Sequence, residues 1–189
     1  MEKLKVYKII KTCIFVIAAI LLFVFAEKIM ENNGALINGV VGTVIAYYGV
    51  EGIIVPLITR KDDQIPRIHS GLINLLIAVI MILLLENNIS EIRVVCSLWG
   101  LWSIIREGDE IFEESVPKFK KAPVTAILDI LESIIVIYFS IALVCAKDLE
   151  SLLHHAHVHI ILLGIELLLE ITWDHIYHFE EFLRKRLKK

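Results

Sequence analysis

HVHIILLGIELLLEITWDHIYHF, running from His157 to Phe179, is long and apolar enough to cross a bilayer, yet Glu166, Glu170 and Asp174 interrupt it at helical spacing. His159 precedes the first of them on the same side. At about 100° per residue these four side chains fall within roughly 80° of one another around a helix. One narrow polar stripe therefore crosses an otherwise apolar rod. An ionised carboxylate facing hydrocarbon costs several kcal/mol, so the stripe must face other protein, a water-filled cavity or a bound cation. That requirement dictates how the remaining segments surround it.

The rest of the chain supplies those segments. Hydrophobic residues make up 57% of its 189 residues and the mean hydropathy is +0.74, well above the roughly 45–50% apolar content of soluble domains. The expected fold is all-α and polytopic: a single transmembrane domain over residues 1–189 with six transmembrane helices. At about 20 residues per crossing the spans fall near residues 9–26, 36–58, 68–85, 92–112, 124–146 and 157–178. The lipid bilayer is the expected partner. Lys and Arg occur in blocks between apolar segments rather than on one basic face, which argues against nucleic acid. Cys13, Cys96 and Cys145 lie far apart in apolar runs with no metal spacing and read as small, reduced core residues.

The first segment, MEKLKVYKIIK followed by TCIFVIAAILLFVFA, has the charged head and apolar centre of a signal peptide. Val24-Phe25-Ala26 could serve as its cleavage site. A retained span fits better, because the apolar run extends back through Ile9 and Ile10 and its removal would leave an odd number of segments. In the second segment Gly39, Gly42, Gly49 and Gly52 would let a neighbouring helix approach closely, the usual basis of association in lipid and a route to a homo-oligomer. The fourth segment is the poorest. Its clean apolar run, Val94 to Ile105, covers only about 18 Å, so Arg93 and Arg106 must reach the interfaces or REGDEIFEE must be buried in protein.

Two regularities organise the six spans. All the basic residues except Lys28, Arg93 and Lys147 fall at the termini, between spans two and three, or between four and five. The positive-inside rule then puts both termini in the cytoplasm of a bacterial cytoplasmic (inner) membrane. The second regularity is a weak repeat of about 60 residues, in which Gly42, Gly100 and Gly164 are followed by Glu51, Glu110 and Asp174. Three related helical hairpins would produce it.

This orientation collects Glu51, Glu107, Glu110, Asp129, Glu132, Glu170 and Asp174 in the cytoplasmic half, with Glu166 nearer the middle. Asp129, Glu132, Ser133 and Ser140 share a face of the fifth span. Carboxylates crowded at low dielectric cannot all ionise, so Glu166, Glu170, Asp129, Glu132, Asp174 and Glu51 are candidates for a proton or cation relay. The plainer reading makes them cement between helices, neutralised by Arg106, Arg67, His69 and Asn74. On the opposite side HHAHVH offers His154, His155, His157 and His159 as ligands for a divalent metal, with His155 and His159 one helical turn apart. Its plainer reading is a solvated loop that gains charge near pH 6.5. No other cofactor is implied. Phosphate-binding glycine loops, nucleophile–histidine pairs and HExxH are all missing, which argues against an enzyme.

LWGLWSIIREGDEIFEE and GTVIAYYGVEGIIVPL share a form, an apolar stretch rich in small residues that leads to a Gly beside an acidic or polar residue. With three hairpins in under 200 residues, the chain resembles the HdeD-like family of bacterial acid-resistance membrane proteins over most of its length. The resemblance implies a six-span inner-membrane protein linked to acid or envelope stress. It transfers no catalytic residue. A proton- or cation-coupled transporter using the acidic stripe of spans five and six is the alternative.

Overall fold

The computed structural model describes residues 2–31, 35–59, 65–87 and 91–187, and these are almost wholly helical. The elements are α1 (Glu2–Glu31), α2 (Ala35–Thr59), α3 (Ile65–Glu86), α4 (Ile92–Glu110), a π-helical turn (Ile111–Ser115), the single turn α5 (Val116–Lys118), α6 (Pro123–Cys145) and α7 (Leu149–Leu187). Five of them are long and apolar enough to cross a membrane: α1, α2, α3, α6 and α7. This is a multi-spanning membrane architecture. The outward faces carry large apolar side chains such as Ile17, Val24, Leu76 and Tyr138, as contact with lipid requires.

The expected fourth span is the exception. Although α4 is 19 residues long, enough for about 28 Å, it is too polar to join the apolar five. Its surroundings explain the composition. Val95, Cys96, Trp99, Gly100, Trp102, Ser103 and Glu107 are all buried, and α4 packs on α2, α3, α6 and α7. A helix whose neighbours are protein can carry polar groups that lipid would reject. Of the two arrangements expected for its charged end, burial in protein is the one found for Arg106, which is drawn into the bundle with it.

Each long helix packs on its chain neighbour, and α7 closes the ring against α1. The most extensive pairs are α2 with α3, α4 with α6, and α1 with α7. These pairings cross the boundaries of the three expected hairpins. Close backbone approach accounts for the choice. A Cβ on Gly49 would sit 2.9 Å from the Leu75 nitrogen, and one on Gly100 would sit 3.0 Å from the Ser140 carbonyl oxygen. Gly164 lies against the ring of Phe23, 2.8 Å from where its Cβ would be. By contrast, Gly39 faces open space and Gly42 makes only ordinary contact with Met81.

The last helix begins earlier than its expected boundary near residue 157. Asp148 Oδ1 accepts the Ser151 N–H at 2.7 Å, a side-chain cap that starts α7 at Leu149. Leu152, Ala156, His159, Ile160, Leu163 and Leu167 then form its buried stripe. The histidines expected in a loop therefore stand on the first turns of a 39-residue helix. Of the cysteines only Cys96 is a core residue, whereas Cys13 and Cys145 point outward; all three are free thiols.

Candidate functional site

The polar stripe of α7 meets cations contributed by α1 and α4. Lys11 of α1 donates to Glu51 of α2 at 2.7 Å and to Glu170 of α7 at 3.0 Å. The Tyr7 hydroxyl donates to the same Glu51 oxygen at 2.7 Å, and the Lys11 ammonium lies 5.1 Å from the centre of the Phe15 ring. One lysine thus ties three helices together. Its position follows from α1 itself, which carries Lys11 one turn before Phe15 on the face turned toward α2 and α7.

One turn away on α7, Glu166 takes part in a second knot. Arg106 Nη2 donates to Glu166 Oε2 at 2.5 Å, and the same guanidinium is bonded to its neighbour Glu107. Its planar face lies 5.1 Å from the centre of the Tyr48 ring and 5.3 Å from that of Trp102. Trp102 in turn donates to Asn74 Oδ1 at 3.0 Å, bringing α3 into the group. Glu107 is only 2% exposed. Buried charges persist only when paired and hydrogen-bonded, and the fork of arginine suits two carboxylates and two aromatic faces better than a point charge would.

Asp129 and Glu132 belong to separate contacts. Asp129, 1% exposed, accepts from the Ser115 hydroxyl at 2.6 Å and from Lys118 at 3.0 Å. The π-helical turn Ile111–Ser115 inserts an extra residue just before this contact, as such turns often do beside functional groups. Burial works against the charge on Lys118, but the bond and the negative charge of Asp129 prevail, so the lysine holds its proton more tightly than usual. Glu132 accepts from Trp173 Nε1 at 2.8 Å. Nearby, Glu180 accepts the Val124 and Thr125 N–H groups at 3.1 and 2.8 Å, capping α6 from α7.

The candidate relay is therefore divided among several donors. Glu51, Glu170 and Glu166 are linked through Lys11, the adjacent turns of α7 and Arg106, whereas Asp129 and Glu132 are held elsewhere. The Asp174 side chain falls outside the described residues, as does Arg67. Among the described residues at this end that are buried or half-buried, the carboxylates, including Glu51, Glu107, Glu110, Asp129, Glu132, Glu166 and Glu170, outnumber the cations Lys11, Arg106 and Lys118. Sequence reasoning missed Lys11, Tyr7, Lys118 and Glu180 as partners. Lys11 did leave a signal, since Ile9, Ile10 and Ile14 already flank it with apolar residues.

At the opposite end of α7, His154 is exposed, His155 and His157 are half-buried and His159 is fully buried. His159 stacks on Trp99, ring centres 4.7 Å apart, and its Nε2 lies 2.9 Å from Ser140 Oγ. Among the described residues, no three His, Cys, Asp or Glu side chains are grouped to hold a metal ion. Comparison with protein-family models, curated proteins and solved structures finds no match to this chain.

Proposed function

We propose that this chain is a small multi-pass protein of the bacterial inner membrane, with both termini cytoplasmic, that contributes to acid or envelope stress tolerance without enzymatic turnover. The observation that carries the reading is the pairing of the acidic stripe. Glu51 and Glu170 share Lys11, Glu107 and Glu166 share Arg106, and Asp129 holds Lys118. Carboxylates locked in this way join helices rather than line a conduit. The clustering of basic residues supports the orientation, which puts the charged interior on the side away from external acid. The resemblance to the HdeD-like family supports the stress role. Exposed apolar faces are compatible with a homo-oligomer in the bilayer. Deleting the gene in the native host should lower survival at low external pH, and unchanged survival would end the stress reading.

A second reading, a proton- or cation-coupled transporter, draws on the excess of carboxylates over cations at one end. Crowded carboxylates there must share protons or a cation. Proton flux into proteoliposomes under an imposed pH gradient separates the two. Flux above empty vesicles that disappears in Glu166→Gln favours transport, and its absence from inserted, folded protein favours the locked bundle.

A further inference from the structure

At the far end of α7 three buried nitrogens have no hydrogen-bond partner: Trp99 Nε1, His155 Nδ1 and His159 Nδ1. Buried polar atoms are nearly always satisfied, so the two histidine nitrogens, one helical turn apart on α7, call for a ligand. We propose that His155 and His159 form a two-nitrogen site for one soft monovalent cation, Cu(I) or its analogue Ag(I), each binding through Nδ1.

The hydrogen bonds around His159 fix its tautomer. The Ser140 hydroxyl donates its single proton to the Val136 carbonyl at 2.7 Å. Its oxygen must then accept from His159 Nε2–H, 2.9 Å away. Nδ1 is left with its lone pair free, 1% of the residue being exposed. An imidazole whose other nitrogen donates to an oxygen is the usual arrangement of a histidine metal ligand, because that bond orients the ring and raises its basicity. Stacking on Trp99 holds the ring plane in addition. His155 stands one helical turn earlier, a spacing at which two histidines of one helix can share an ion, and its Nδ1 is likewise buried and unpartnered.

The donor set selects the ion. Trp99 N–H is a donor and cannot ligate a cation. With no third His, Cys, Asp or Glu grouped there among the described residues, Zn²⁺ lacks the four ligands of a structural site, and Ca²⁺ or Mg²⁺ lacks oxygens. A soft monovalent ion is satisfied by two neutral imidazoles and carries the least charge into a dry site. This inference is independent of the stress and transport readings.

The test is competition for Cu(I) against a coloured Cu(I) chelator, using the full chain purified in detergent under anaerobic reducing conditions. The expected result is one equivalent of Cu(I) withdrawn per chain, with excess Zn²⁺ failing to displace it. His159→Ala and His155→Ala should each weaken binding at least tenfold, Ser140→Ala should weaken it by a smaller factor, and His154→Ala and His157→Ala should leave it unchanged. If wild-type protein withdraws no Cu(I), the site does not exist, whatever the variants do. Retention of full affinity in a folded His159→Ala chain, equal losses at His154 or His157, or displacement by Zn²⁺ would each overturn the assignment.

Discussion

The two ends of the bundle solve the same problem in opposite ways. At the carboxylate end Glu51, Glu170, Glu166, Asp129 and Glu132 meet cations or N–H donors from other segments of the chain: Lys11, Arg106, Lys118 and Trp173. At the histidine end His159 is buried and His155 half-buried, each with a buried ring nitrogen left over. The difference teaches where stability is concentrated and where a ligand has room to add some. A charge cannot be left over at low dielectric, whereas a neutral ring nitrogen can be, at a cost of only about 1–3 kcal/mol.

The sharpest way to break the contrast is at Arg106. Replacing it with alanine leaves Glu107 and Glu166 buried without their shared cation and removes the contacts with Tyr48 and Trp102. A loss of about 3–5 kcal/mol is expected, read as a fall in the denaturant midpoint of the detergent-solubilised protein. Arg106→Lys should recover part of it, because an ammonium keeps the charge but not the flat fork. A wild-type midpoint in Arg106→Ala would mean that the carboxylates are not locked.

Smaller effects follow from packing and capping. Gly49→Ala puts a methyl against the backbone of α3 and should cost about 1–3 kcal/mol, whereas Gly39→Ala, facing open space, should be neutral or slightly stabilising. Equal effects at the two positions would remove the reason offered for the α2–α3 pairing. Glu180→Ala uncaps α6 and should lose about 0.5–2 kcal/mol, visible as faster hydrogen exchange at Val124 and Thr125. Ser140→Ala should be the mildest at about 1 kcal/mol, with the change confined to the histidine end in ring-proton spectra.

Much of this was legible from composition and period. The five apolar spans stand out because lipid demands apolar residues all round. Helical spacing alone places His159, Glu166 and Glu170 on one side turned from lipid, and of protein, water or a cation it is protein that they meet. Partners were harder to see. Lys11 and Glu170 are 159 positions apart, and although the isoleucines around Lys11 mark it as part of the apolar run, nothing local names its partners. The fourth segment stood out as the poorest span for a related reason. Hydropathy scores a helix as if lipid surrounded it, and α4 turns only one side outward, through Val94, Leu101 and Ile105, while its other side is buried among helices. The early start of α7 was written in Asp148, a capping residue overlooked because the histidines after it looked like a loop.

The length of α7 has a mechanical consequence. Its 39 residues make a rod of about 58 Å, nearly twice the thickness of a bilayer's hydrocarbon core, and near its midpoint Gly164 rests on Phe23. A rod bearing on a contact at its middle is a lever. A tilt of about 5° about that fulcrum swings each tip by about 2.5 Å in opposite directions, enough to part a hydrogen bond. Either tip can swing that far only if the ties beside the fulcrum, Glu166 to Arg106 and Glu170 to Lys11, give way as well.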